Sequence, residues 1–246
     1  MIKELEDYSW FPPLLRRYQM DYIGSLVSWL RVYRPLMPVV AQMVNADHGV
    51  MIQDLCSGSG IPAIYIQQHI KHFPKTLLSD KYPDPAFTDA AELEYIKSPV
   101  DVLALIPQHG ICYTMYNSIH HFSPGDQITL VKKMIASRNN FLFAEILEPG
   151  IFTMIKIILS ATLLQLFTAP FIKPFSLKRL FFTYIIPFNL FTVLYDGIIS
   201  VIKSGSVNRY RKLFERLSTN DFEVSVGRFN NWKGPVIYIK GNPLPR

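Results

Sequence analysis

The sequence predicts an α/β protein. Its core is a doubly wound, mostly parallel seven-stranded sheet closed by an antiparallel C-terminal hairpin, with helices added at the N-terminus and in an insertion. Three observations predict this. First, Val50-Met51-Ile52 runs into a turn of small residues, Asp54-Leu55-Cys56-Ser57-Gly58-Ser59-Gly60, and Ile61–Ile66 continues with helical character. Second, strand-like and helical patterns alternate through the first 150 residues, which builds a parallel sheet with helices on both faces. Third, the last two strand-like runs are joined by the turn-like Asn230–Gly234, so one sheet edge should be antiparallel.

Residues 8–46 read as two or three helices. Leu14, Leu15, Tyr18, Tyr22, Leu26, Trp29, Leu30 and Tyr33 recur at helical spacing. Pro35 and Pro38 punctuate the run. Most of these residues should pack on the sheet, while Tyr18 and Tyr22 are candidates for a lid that touches substrate over an apolar pocket. Strands are expected at 50–55, 76–80, 100–105, 111–116, 141–147, 222–229 and 235–240, with helices at 62–72 and 125–137. Four regions follow: an N-terminal helical lid (1–48), a core (49–149), an apolar helical insertion (150–205), and a helix with hairpin (206–246) that completes the core.

The insertion breaks the rhythm. Two uncharged stretches, 157–172 and 180–195, flank a segment carrying Lys173, Lys178 and Arg179. Sixteen helical residues span ~24 Å, slightly short of a bilayer core. Pro170, Pro174 and Pro187 interrupt them, and Lys156 and Asp196 argue against spanning helices. Three readings stay open: a buried cap over an apolar pocket, a helical hairpin lying in one membrane leaflet, or a homodimer interface.

Charge is uneven. Residues 1–150 sum to −3 and residues 151–246 to +9. The basic part suits an anionic substrate, an anionic membrane surface, or a solvated face with no partner. No dense basic run or recognisable module points to nucleic acid. The two cysteines, Cys56 and Cys112, have no metal-like spacing, so neither a disulfide scaffold nor a metal site is expected. The first residues lack the basic-then-apolar order of a signal peptide. A cytoplasmic location is therefore expected, with the inner face of the membrane as an alternative.

The Asp54–Gly60 turn is where chemistry is expected. Glycine permits positive φ and close backbone approach, Pro62 suits a first helical turn, and a helix N-terminus favours an anionic group. Asp80 closes a second apolar run about twenty residues later, where a carboxylate can accept both hydroxyls of a ribose. An adenine-containing cofactor follows. A nicotinamide oxidoreductase shares this logic, but the turn is one glycine short of that fingerprint.

Asp54–Gly60, Asp80, Asn117-Ser118-Ile119-His120-His121-Phe122 and the terminal hairpin together resemble a class I S-adenosylmethionine-dependent methyltransferase, of a bacterial type carrying an apolar insertion. The resemblance covers residues 45–148 well and 205–246 loosely. It departs from the family pattern at Cys56, which stands where the first loop glycine is usual. It implies a Rossmann-like fold and S-adenosylmethionine as cofactor. In that reading Asp54, Cys56, Ser57, Gly58 and Gly60 hold the methionine end, Asp80 the ribose, and Lys81 lies beside the adenine. Asp101, with Val102, falls near the adenine amino group, and Asn117 and Ser118 lie next to the sulfonium. The resemblance to a His-Asp-Trp motif makes His120 the general base for a hydroxyl acceptor, with His121 the alternative. Glu145 could line the acceptor site or be solvated at a strand end. Asp196 could pair with a cation, cap a helix, or contact the acceptor. The expected reaction is methylation, on oxygen in preference to carbon or nitrogen, of an apolar or amphiphilic small molecule such as a lipid, polyketide-like or aryl compound. The competing function is a membrane-peripheral binding or scaffold protein that keeps the fold without methyl transfer.

Overall fold

A computed structural model describes residues 2–45, 51–84, 87–90, 92–231 and 233–245. Seven strands form one sheet: β1 (Met51–Leu55), β2 (Thr76–Ser79), β3 (Leu93–Tyr95), β4 (Ile111–Tyr116), β5 (Phe141–Glu145), β6 (Phe222–Asn231) and β7 (Gly234–Pro243). Their order is β3-β2-β1-β4-β5-β7-β6. The first five pair in parallel, and β7 runs antiparallel to both β5 and β6. This is the doubly wound sheet with a closing hairpin that the alternation predicts. β4 and β5 are buried along their whole length, as continuous apolar central strands must be.

One expected strand is corrected. Residues 100–105 form no strand; the third strand is the short Leu93–Tyr95, whose residues 93–95 pair with 76–78 of β2. Asp101 is the physical reason. Its carboxylate accepts the Leu103 N–H at 2.9 Å and its carbonyl accepts the Ala104 N–H at 3.0 Å, so a turn satisfies the backbone a strand would have used. The hairpin is also tighter than expected, its ladder closing at Asn231 opposite Gly234. Val50 and Trp232, which belonged to the expected first strand and final turn, lie outside the described residues.

Helices cover both faces. α1 (Pro13–Trp29), α2 (Met37–Asn45) and α3 (Ile61–His69) pack on one side, where Val27, Val40 and Ile66 meet Ile52, Leu78 and Leu142. α4 (Pro124–Ala136) covers the other with the C-terminal α9 (Val207–Phe214), where Leu130, Met134, Tyr210 and Phe214 meet Tyr113, Phe143 and Ile239. Strand residues alternate between these two cores, as a pleat requires. Ser123 caps α4, accepting the Asp126 N–H at 3.2 Å, and Pro124 follows at the first helical position.

The apolar insertion is helical. α5 (Ile151–Leu159) runs through a π turn, Ser160–Leu164, into α6 (Gln165–Thr168); α7 (Leu177–Tyr184) and α8 (Phe188–Lys203) follow. Polar contacts moor it to α1. Tyr22 donates its hydroxyl to the Ser160 carbonyl at 2.6 Å, Tyr18 shares a 2.9 Å hydrogen bond with Ser176, and Arg179 pairs with Asp21 at 3.0 Å.

Candidate functional site

The turn after β1 takes up the conformation its glycines suggest. Gly58 and Gly60 have φ of +52° and +71°, and Cys56 adopts φ +54° although it carries a side chain. A Cβ on Gly60 would lie 2.5 Å from Leu78 Cδ1, so glycine is required there. Left-handed backbone costs a non-glycine residue ~1 kcal/mol. Cys56→Gly should therefore raise the melting temperature by about 2–4 °C; a lower value in a thermal scan would show that packing of the half-buried thiol outweighs the strain. Burial pushes that thiol's pKa well up, and the nearby carboxylates of Asp80 and Asp54 push it further, so it stays protonated.

Asp80, at the end of β2, is tied to this turn. One carboxylate oxygen accepts the Gly58 N–H at 2.9 Å and the other the Tyr82 N–H at 2.8 Å. Tyr95 of β3 donates to the Gly58 carbonyl at 2.9 Å. Each Asp80 oxygen keeps a second lone pair for a ligand hydroxyl. Asp54 lies behind the turn and is buried. Thr114 donates to it at 2.6 Å, and burial pushes its pKa up to about 7 against that bond and one from Ser57.

In front of the turn lies a cavity of about 1090 Å³. It brings together most of the expected residues: Cys56, Ser57, Gly58, Asp80, Lys81, Asp101, Val102, Asn117, Ser118, His120, His121, Tyr22 and Asp196. Asp54, Gly60, Tyr18 and Glu145 do not line it. Lys81 and Asp101 face each other at 3.9 Å across its exposed rim. Asn117, at φ +54°, has a buried carboxamide oxygen with no partner beside the cavity. A turn of positive φ, a carboxylate with spare lone pairs and this unpaired acceptor all fit a nucleoside cofactor with an amino-acid tail.

The far end of the cavity is built from residues distant in sequence. His120 is buried, and its Nδ1 lies 2.7 Å from the carboxylate of Glu145, at the end of β5. Its Nε2 has no hydrogen-bond partner and lies 3.8 Å from Glu4. His121 Nδ1 is 3.0 Å from Asp7, and its Nε2 lies 3.6 and 3.5 Å from Glu4 and Glu6. Glu4 accepts from Lys203 at 2.9 Å and Ser200 at 2.8 Å. Asp196 caps the N-terminal turn Leu5–Asp7, accepting from the Leu5 and Glu6 N–H groups at 2.5 and 3.2 Å, and Gln19 donates to it at 2.7 Å. Asp196 thus caps the backbone of this turn and also lies on the cavity wall. Glu145 holds His120 and is neither solvated nor on the cavity wall.

Burial alone would lower the His121 pKa; Glu4, Asp7 and Glu6 outweigh it and push it up to about 10. Burial would raise Glu4, yet His121, His120 and Lys203 hold it below its ordinary value. A raised histidine pKa stabilises the fold fully below the unfolded value near 6.5, and that stability is lost as pH rises through about 10. The melting-temperature gap between wild type and His121→Gln should therefore be widest below pH 6.5 and close by about pH 10. A gap independent of pH would mean His121 is not charged in this cluster. Ligand atoms of Glu4, His120 and His121 lie within 4.8 Å of one another, a spacing suited to a metal ion, but the Lys203 ammonium already supplies a cation there.

Glu4, Glu6 and Asp7 had no signal beyond an acidic run at the N-terminus and Lys203 none at all, since Asp7 meets His121 across 114 positions and Glu4 meets Lys203 across 199.

No protein-family model and no curated protein matches the chain. Solved structures do. The chain is similar to human N-acetylserotonin methyltransferase in complex with SAM, at 11% identity over 89% of this chain and 54% of that one, with a TM-score of 0.50. It is similar to the plantazolicin methyltransferase BpumL in complex with SAH, at 9% identity over 94% of this chain and 95% of that one, also at 0.50. The mitomycin 7-O-methyltransferase MmcR aligns at 14% identity over 87% of this chain and 54% of that one, at 0.48. The chain thus spans about half the length of two of these proteins and nearly all of the third. It has the fold of class I S-adenosylmethionine-dependent methyltransferases.

Proposed function

We propose that the protein is an S-adenosylmethionine-dependent methyltransferase acting on an apolar or amphiphilic small molecule, with oxygen as the acceptor atom. The observation that carries this is the union, in one cavity, of the positive-φ turn clasped to Asp80 and a buried histidine whose Nε2 is unpaired. Human N-acetylserotonin methyltransferase and BpumL, which share the fold, are recorded with SAM and SAH.

In this reading the backbone of Cys56–Gly58, with Asn117 and Ser118, receives the methionine end of the cofactor. Asp80 takes the ribose hydroxyls through its free lone pairs, and Val102, Asp101 and Lys81 flank the base. When bound, the cofactor supplies an electrophilic methyl group on a sulfonium. Everything else is positioning and proton handling. Glu145 accepts from Nδ1 of His120, which fixes the tautomer with Nε2 free to take a proton from an acceptor hydroxyl. Glu145 also stabilises the imidazolium that results. Ile157, Ala161 and Val193 of the insertion, with Leu26 and Val27 of α1, line the cavity and favour an acceptor with an apolar body.

Calorimetric titration with S-adenosylhomocysteine tests the first step. The expected result is saturable heat at micromolar to millimolar ligand; no heat over that range overturns the proposal.

A further inference from the structure

α8 buries most of its polar side chains and exposes its aromatic ones. Its buried face carries Asn189, Thr192, Asp196, Ser200 and Lys203 beside Val193, Ile199 and Val201, while Phe188, Phe191, Tyr195 and Ile202 point outward. A helix on a water-facing surface shows the reverse pattern. The α5–α6 run repeats it. Ala161, Gln165 and Ala169 face inward at a spacing of four, and Phe152, Phe167 and Phe171 stand outward with more than 70% of their surface exposed. Among the described residues, nineteen of the twenty-five exposed large apolar side chains fall within residues 151–203, and the other six are scattered. An apolar patch of this kind marks an interaction surface.

We infer that this outer face docks into one leaflet of an anionic lipid membrane. Charge decides for lipid over a second copy of the chain. The exposed charged residues of 151–203 are Lys156, Lys173 and Lys178; the segment's other cations are buried and already paired, Arg179 with Asp21 and Lys203 with Glu4 and Asp7. Lysines beside exposed phenylalanines complement anionic headgroups above acyl chains. A self-complementary dimer would instead bring two lysine-bearing faces together.

The geometry also fits a seat in one leaflet rather than a crossing. Residues 151–171 form a helical run of 21 residues, long and apolar enough to cross a bilayer. The α7–α8 pair, bent by 74°, is together as apolar as that run requires. Yet the inner face of this array is bound to the body by Tyr22–Ser160, Arg179–Asp21 and Glu4–Lys203. Crossing would tear out these buried polar contacts. Lying in the headgroup region, with the apolar side down, keeps every one.

Flotation with phosphatidylcholine vesicles, containing or lacking phosphatidylglycerol, tests this independently of the cofactor reading. The wild-type chain should float with phosphatidylglycerol vesicles and far less with phosphatidylcholine alone. Lys156→Glu/Lys173→Glu/Lys178→Glu should weaken binding at least about a hundredfold, and Phe152→Ser/Phe167→Ser about tenfold or more. A thermal scan of both variants reports whether the body is intact, and S-adenosylhomocysteine titration of the wild-type chain reads the cofactor site separately. A wild-type chain that stays out of both vesicle layers overturns the inference. So does flotation unchanged by both variants, or a dimer in sedimentation equilibrium that the phenylalanine variant dissociates without any flotation. Flotation without ligand heat would sink the cofactor reading and leave the docking surface standing.

Discussion

Asp80→Ala is expected to weaken S-adenosylhomocysteine binding about a hundredfold while leaving the chain folded. Hydrogen bonds to a charged group are each worth about 1.5–3 kcal/mol, and ~2.7 kcal/mol is a hundredfold in affinity. The carboxylate has two tasks. It holds the Gly58 N–H, fixing the turn against β2, and it offers spare lone pairs to ligand hydroxyls. Removing it frees the turn and deletes the acceptor together. Asp80→Asn separates the two effects. An amide keeps the shape and one acceptor oxygen, but its NH2 must then meet the N–H of Gly58 or Tyr82. Its affinity should fall as well, and its melting temperature should fall more than that of a surface substitution. Calorimetry reads the first quantity and a thermal scan the second. Unchanged affinity in Asp80→Ala would remove the ribose assignment.

His120→Ala should cut turnover by about 10²–10⁴, the range for a lost general base, with S-adenosylhomocysteine affinity nearly kept. The ring is 1% exposed and stands between Glu145 at 2.7 Å and Glu4 at 3.8 Å. A buried imidazole bonded to a carboxylate on one nitrogen is suited to take a proton on the other. Glu145→Gln should give a smaller drop in kcat, because an amide still accepts from Nδ1 but does not neutralise the imidazolium. Turnover is read with a radiolabelled methyl donor against a panel of apolar hydroxylated acceptors. Full activity in His120→Ala would discard the histidine as base. Glu4 adds a constraint: its carboxylate sits where an acceptor hydroxyl would approach Nε2, so the acceptor must enter beside it.

The core was legible because its signals are local. Val50–Ile52 followed by small residues and Pro62 encodes a strand, a left-handed turn and a helix start within a dozen residues. Asp80 could be assigned to that turn because parallel strands place their C-terminal ends side by side. The third strand was missed for a local reason too. Leu93-Glu94-Tyr95 is too short to show a period, whereas Val100–Leu105 is apolar but has Asp101 to turn it. His120 and His121 were legible as candidates, but their surroundings were not. Glu4, Asp7 and Lys203 reach them only after the N-terminal turn is pinned across the insertion by Asp196.

By itself the sequence determined the order of elements, the strand–turn–helix that faces the cavity, and the apolar excess of residues 150–205, because each is written in the spacing of neighbouring residues. Only the tertiary structure decided which carboxylates meet the histidines and which way the inserted helices face. Those depend on contacts across strand ends and between residues up to 199 positions apart, and on helices whose apolar content alone cannot distinguish an inward side from an outward one.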